Sequence, residues 1–302
     1  MDISVIIPSH NPRRDYLDRV LVALRAQTLP LTRWELVIVD NASQPALSAA
    51  LAQQGHPAGR VVREERVGLT AARLAGFATT SGNIIVLVDD DNVLTPDYLA
   101  SAQRIAEENP KLGTWSGRVD LEFAADVIPP PQRWWGYLAY RTPTMPSISR
   151  EIDHHESTPW GAGMCILRSV ANAYRELAQA DTSRTSLDLQ GKRLIYGGDT
   201  DIAYNGCDRG FSKGVFPNLR LLHLIPPERC TEEYFNRCIE GRGYSEQLHR
   251  LIRYRQMENP RRTLRRWLGD WWHAWKSGRP ARFELAARRR GLTRAWNELL
   301  HP

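Results

Sequence analysis

The chain has 302 residues, 42% of them hydrophobic and 25% charged, and a net charge of +6. That balance excludes collagen-like, low-complexity and disulfide-rich secreted chains and predicts a globular protein with length enough for a sizeable core. Its four cysteines, Cys165, Cys207, Cys230 and Cys238, form no C-x-x-C pair and have no histidine at zinc-ligand spacing, so they are expected to be reduced structural thiols.

The N-terminal MDISVIIPSH begins directly as a strand, without the basic flank and apolar core of a secretory signal. No window reaches the roughly 20 apolar residues of a membrane span, so a cytoplasmic protein is expected. Ile3 to Ile7 is the first strand, ending at Pro8, and Asp15 to Gln27 places Leu17, Val20, Leu21 and Leu24 on one helical face. Glu35 to Val39 is a second strand, Pro45 to Gln54 a helix, Arg60 to Arg63 a third strand, and Leu69 to Thr79 a helix rich in small residues. Ile84 to Val88 is a continuous apolar run, as in a strand covered on both faces, and it ends in three aspartates. Thr95-Pro96-Asp97 supplies a capping hydroxyl, a proline for the first helical position and a first-turn acid, predicting a helix to about Asn109.

Further on, Gly113 to Glu122 reads as a strand, and the Pro-, Trp- and Arg-rich stretch from Ile128 to Glu156 as a long loop. Met164 to Leu167 is a strand followed by a helix to about Ala180, and Asp181 to Arg193 is polar loop. Asp199 to Arg209 starts a helix, Val215 to His223 forms a strand, and Thr231 to about Gln256 is a long helix expected to break or bend near Gly241 and Gly243. The alternation predicts an α/β fold with a mostly parallel sheet between helices.

In such folds ligands bind beyond the carboxyl ends of the strands. Three strand ends here carry polar groups, Pro8-Ser9-His10-Asn11, Asp40-Asn41-Ala42-Ser43 and Asp89-Asp90-Asp91-Asn92, and together they can line one crevice. One carboxylate there can simply cap a helix, and Asn41 and Ser43 suit turn chemistry. Three adjacent carboxylates repel one another unless a cation offsets the charge, and hard oxygen ligands suit Mg2+ or Mn2+.

The order of Val5-Ile6-Ile7-Pro8-Ser9-His10-Asn11, Val39-Asp40-Asn41-Ala42-Ser43, Gly68, Ala72-Arg73, Val88-Asp89-Asp90-Asp91, Trp160-Gly161-Ala162-Gly163 and Gly197-Gly198-Asp199-Thr200-Asp201 resembles the family 2 glycosyltransferases with the GT-A fold. The likeness covers residues 3 to about 245 and implies a Rossmann-like catalytic domain over 1–250, with a nucleotide-sugar half (1–112), an acceptor half (113–250) and a helical extension over 251–302. It implies that Pro8, Ser9, His10, Asn11, Asp40, Asn41, Arg73, Asp89 and Asp90 meet the donor, and that Asp89 with Asp91 forms the D-x-D element. Asp91, with Asp89 and His223, would hold Mn2+ or Mg2+. Arg229 would clamp the leaving diphosphate, and Trp160, Gly161, Ala162 and Gly163 would face the acceptor.

Family members often carry a Glu-Asp pair at the start of the later helix. Here Gly198 precedes Asp199, so the resemblance assigns the general base to Asp199, with Asp201 as its substitute. The implied reaction is inverting transfer from a nucleoside-diphosphate sugar, with UDP the favoured nucleotide, to a saccharide or lipid-linked acceptor. A nucleotidyltransferase and a binding or scaffold protein without turnover are the alternatives; no glycine-rich phosphate loop follows the first strand, which counts against the former.

From Leu251 to Pro302 there are thirteen Arg and Lys against four Asp and Glu, so the tail is strongly basic. Arg261, Arg262, Arg265 and Arg266 precede Trp267, Trp271 and Trp275, which recur every four residues on one helical face. That face would pack on the domain or on a second subunit, as in a homodimer, or lie peripherally on an anionic membrane. No nucleic-acid-binding motif accompanies the charge, and none is expected to bind.

Overall fold

The computed structural model describes residues 1–188, 194–259, 272, 275–276 and 278–300. Strands β1 (Ile3–Ser9), β2 (Trp34–Asn41) and β4 (Ile84–Leu87) are buried at every position, which is why they read as unbroken apolar runs. With β3 (Arg60–Glu64) they form the parallel half of the sheet, in the order β3-β2-β1-β4. The sheet continues through β8 (Cys165–Leu167), β6 (Leu112–Phe123), β9 (Ser212–Ile225) and β5 (Asn92–Leu94), with β7 (Ser147–Ser149) paired to β9. The long β6 and β9 run parallel, while the short β8, between β4 and β6, and the short β5 and β7, both on β9, pair antiparallel, giving a mixed, mostly parallel sheet.

Helices cover both faces. Helix α1 (Arg14–Arg25) buries Leu17, Val20, Leu21 and Leu24 with β1, β2 and Trp34 on one side. On the other, α2 (Leu69–Thr79) lies close on the sheet, since a Cβ at Gly76 would fall 2.5 Å from the Ile6 side chain. Helix α4 (Arg168–Ala180) and helix α5 (Gly198–Asp208) join α2 there through Val170, Tyr174 and Ile202.

Two helix boundaries differ from expectation. Between Pro45 and Gln54 only Ala49–Gln54 coils, as a 3-10 turn, because the Asp40 carboxylate accepts from the backbone N–H of Ser43 and Leu47 and holds that stretch in a turn. Helix α3 (Tyr98–Glu108) starts after Thr95-Pro96-Asp97, and no side chain caps it. Residues 92–94 are a strand on β9, and the Thr95 N–H donates to Arg220 O, so Thr95 extends that pairing and the helix begins only at Tyr98. The 128–156 loop contains a 3-10 turn, Gln132–Leu138, whose Trp134 and Leu138 pack with Ile225 and Phe235.

Helix α6 (Glu232–Tyr254) runs unbroken through Gly241 and Gly243, so the expected break is not there. Its glycines serve close approach: a Cβ at Gly241 would lie 1.7 Å from Leu194 O, and one at Gly243 2.4 Å from Arg288 O. The latter oxygen belongs to α7 (Arg279–Leu300), whose own Gly291 would place a Cβ 1.9 Å from Glu240 O. Replacing Gly291 by Ala gains about 1 kcal/mol of helix propensity. The added carbon meets backbone that cannot swing aside, and the net result is expected to be a loss of about 1–3 kcal/mol, seen as a lower melting temperature. Gly206→Ala in α5 is the control, because its Cβ would meet Val170 at an ordinary 3.4 Å; an unchanged melt for Gly291→Ala would refute close packing of α6 and α7.

Part of the basic tail is thus packed on α6, with Ala287 and Ala295 fully buried. Arg261, Arg262, Arg265, Arg266, Trp267 and Trp271 lie outside the described residues. Trp272 and Trp275 are exposed, with the Lys276 ammonium 3.7 Å from the Trp272 ring centroid. Among the described residues no helix is long and apolar enough to cross a membrane.

Candidate active site

The β1–β4 register pairs Ile6 with Leu87, so the aspartates following β4 emerge beside Pro8 and Ser9 at the end of β1. The Ser9 hydroxyl donates to Asp90 at 2.6 Å, tying the acidic run to that turn. Burial and the neighbouring Asp91 charge push the Asp90 carboxyl up to about 7, against the Ser9 hydrogen bond. Burial and Asp91 likewise raise Asp89, with Arg73 acting in the opposite direction.

Asp91 turns the other way because the next residue starts β5. There Asn92 pairs with His223 on β9, and Leu224 N–H donates to Asp91 O at 2.9 Å, so the register itself brings Asp91 and His223 together. Asp91 Oδ2 lies 3.4 Å from His223 Nε2, and Arg229 Nη1 sits 2.9 Å from the first and 3.0 Å from the second. His223 Nδ1 lies 2.8 Å from Leu138 O, an acceptor, so Nδ1 carries the hydrogen and the Nε2 lone pair faces Arg229. Burial disfavours the Asp91 charge, but the Arg229 guanidinium works against it, and the carboxyl is held well below the usual carboxylate range.

This pair fits a divalent cation, since a carboxylate oxygen and an imidazole lone pair converge on one cationic nitrogen. The fit has a limit. Among the described residues no group of three His, Cys, Asp or Glu could hold an ion, so Asp89 does not complete the expected trio with Asp91 and His223. A site of Asp91 and His223 alone would leave its other positions to substrate phosphates.

The second focus is Arg73, which is 4% exposed on α2 and therefore not a helix-surface residue. Its Nη1 donates to Asp188 at 2.9 Å, while Nε is buried with no partner among the described residues. Asp89 and Asp199 also act on its charge. Asp199 lies at the start of α5, where an acid favours the helix dipole. Its Oδ1 accepts from the backbone N–H and hydroxyl of Thr200, and its Oδ2 accepts the Gly161 N–H at 2.7 Å. One acceptor position on Oδ2 is left over.

Trp160 is half-buried. Its N–H donates to Ser116 Oγ, and the Arg141 guanidinium covers its ring at 4.8 Å. Gly161, Ala162 and Gly163 are buried, and a Cβ at Gly163 would strike the Tyr98 hydroxyl at 2.4 Å. Ala162 and Gly163 therefore turn the chain into β8 and do not face an acceptor as expected.

Three further assignments are corrected by the geometry. Asp201 is 1% exposed, and both its oxygens accept from Arg184 Nη1 at 2.6 Å, so it is a buried ion-pair partner and not a substitute base. Asp40, also 1% exposed, has its oxygens engaged by Ser43 N–H, Leu47 N–H and Arg63, and burial against these bonds leaves its carboxyl below the ordinary range. Asn41 accepts from Gly68 N–H and donates to Glu64 O and Arg66 O. Both build the turn that follows β2, with each side-chain polar atom already in a hydrogen bond. His10 and Asn11 remain exposed, with His10 Nδ1 2.6 Å from Asn41 O, and Asn11 lines a cavity of about 360 Å3 with Ser43 and Leu47.

Sequence reasoning missed Asp188 and Arg184, both in the polar 181–193 loop, where no periodicity marks them. The only signal for Asp188 was the glycine at 198, whose Cβ would lie 2.1 Å from its carboxylate.

The sequence model of the family described as Glycosyl transferase family 2 matches residues 4–175. An uncharacterized glycosyltransferase, YwdF, from Bacillus subtilis strain 168 is 32% identical over 108 residues, 36% of this chain and 38% of its own. An undecaprenyl-phosphate 4-deoxy-4-formamido-L-arabinose transferase of Serratia proteamaculans is 29% identical over 35% of this chain and 34% of its own. The matched segment thus spans little more than a third of either relative. Among solved structures, S. aureus TarS 1-349 in complex with UDP-GlcNAc superposes with a TM-score of 0.52 at 14% identity, over 81% of this chain and 66% of that one. The uncomplexed form gives 0.51 at 12% identity, over 100% and 92%. At such identities the likeness establishes the fold, which is GT-A.

Proposed function

The chain belongs to the family 2 glycosyltransferases, and from that premise we propose that it transfers a sugar from a nucleoside-diphosphate sugar to an acceptor hydroxyl, with inversion and with a divalent metal. The observation that carries this reading is the convergence of Asp91 Oδ2, beyond the end of β4, and His223 Nε2, on β9, on a single cationic nitrogen at 2.9 and 3.0 Å. UDP is the nucleotide put forward, supported by the UDP-GlcNAc complex of the TarS neighbour.

Asp91 and His223 would hold the ion, Mn2+ matching better than Mg2+ because one ligand is an imidazole. When bound, it supplies Lewis-acid stabilisation of the departing diphosphate. The chain's own residues do the rest. The acceptor oxygen bonds to the anomeric carbon as the bond from that carbon to the diphosphate breaks, and the hydroxyl proton passes to Asp199 Oδ2. Arg229, whose Nη1 faces Asp91 and His223, would pair with the leaving diphosphate. Asp90 and Ser9 hold the donor turn in register.

Release of UDP from a panel of UDP-sugars, followed with Mn2+ and with EDTA, tests the activity. Slow metal-dependent hydrolysis without acceptor is expected; no release from any nucleotide sugar would leave a binding protein. Arg229→Ala is expected to weaken UDP-sugar affinity roughly tenfold in calorimetry with Mn2+, through loss of a charge-assisted pair. Arg229→Lys should recover only part, because the fork geometry is lost. Unchanged affinity in Arg229→Ala would remove the clamp.

A further inference from the structure

We propose that Asp188 is a positioning residue for sugar transfer, seated against the side-chain-free backbone of Gly198 and anchoring Arg73 beside Asp89 and Asp199. The role rests on the donor-site reading above.

Asp188 is 5% exposed and ties α2 to α5. Its Oδ2 accepts from the Thr70 hydroxyl at 2.8 Å and from Arg73 Nη1 at 2.9 Å, both on α2, while Oδ1 accepts the Gly198 N–H of α5 at 3.3 Å. The seat has no room for a side chain on Gly198, whose Cβ would lie 2.1 Å from Oδ2 and 2.6 Å from Cγ of Asp188. Burial pushes the Asp188 carboxyl up to about 6, and Arg73 partly offsets it.

The position of Arg73 matters because it borders the base. A Cβ at Gly161 would fall 2.6 Å from Arg73 Nη2 and 3.4 Å from Asp199 Oδ2, so the guanidinium and the base face the same backbone. A buried arginine requires a counter-charge. While Asp188 supplies it, Asp199 keeps the unused acceptor position on Oδ2. Without Asp188, the nearest carboxylates acting on Arg73 are Asp89 and Asp199. A guanidinium moving onto Asp199 fills that position and removes the proton acceptor.

The test compares Asp188→Asn, Gly198→Ala and the double variant. Asp188→Asn keeps shape and loses charge; Gly198→Ala displaces the carboxylate while leaving Asp188 in the sequence. Each single variant is expected to lower kcat for transfer about a hundredfold, the size typical of a small misplacement of reacting groups. Donor affinity by calorimetry with Mn2+ should stay within about threefold, because Asp91, His223 and Arg229 are untouched. The double variant should be no worse than either single, since both changes unseat one carboxylate. Retained kcat in folded Asp188→Asn, a harmless Gly198→Ala, losses that multiply in the double variant, or losses that vanish once activity is scaled to the folded fraction would each overturn the role. A wild type that binds no nucleotide sugar would instead overturn the donor reading, and this role with it.

Discussion

Asp199→Asn is expected to lower kcat for sugar transfer by about a thousandfold, within the range for removal of a general base, while donor affinity stays within about threefold. The carboxamide keeps the shape of the group but offers one acceptor oxygen in place of two. It can still serve Thr200 or Gly161, the two partners that hold the carboxylate, yet it cannot take a proton at neutral pH. The donor end, on Asp91, His223 and Arg229, is built from β5, β9 and the turn at Pro227–Cys230, and does not use α5. Single-turnover transfer and calorimetry on the same preparation separate the effects. A kcat within tenfold of wild type would move the base elsewhere. Asp201 would not be the replacement, since its carboxylate is buried on Arg184.

The opposite pattern is expected for Asp91→Ala. Loss of this carboxylate removes one of two ion ligands and leaves Arg229 and His223 facing each other without the negative charge between them. Metal-dependent nucleotide affinity should fall by about a hundredfold, equivalent to about 2.7 kcal/mol. Some folding stability should go with it, because removing one partner of a buried charged pair leaves the other uncompensated. Calorimetry with Mn2+ reads the affinity and a thermal melt the stability. Equal nucleotide affinity in wild type and variant would withdraw the metal assignment, even if the melt were lowered.

The parallel half of the sheet was legible because its strands are covered on both faces, which leaves Val5-Ile6-Ile7 and Ile84 to Leu87 as apolar runs with no alternation. Asp89 to Asp91 were legible for the same reason, as charge placed directly after such a run. The three-residue strands β5 and β7 are too short for any periodicity, and the sequence assigned neither of them. Without β5 the cause of the Asp91–His223 contact, the pairing of Asn92 with His223, was out of sight. Asp40 and Asn41 carry side chains equally suited to a ligand or to a turn, and only their hydrogen-bond partners decide for the turn. Asp188 was hidden more deeply, because its partner Arg73 lies 115 positions away. Only the missing side chain at Gly198 pointed to it.

We propose Asp91 and His223 as the metal end of a nucleotide-sugar site. The most direct test of that claim is a thermal-shift titration of the wild-type chain with UDP-sugars, in Mn2+ and in EDTA. A bound donor stabilises the fold as its concentration rises above Kd, so the melting temperature should climb with UDP-sugar in Mn2+ and stay level in EDTA. Equal climbs with and without metal, or none with any nucleotide sugar, would contradict the claim.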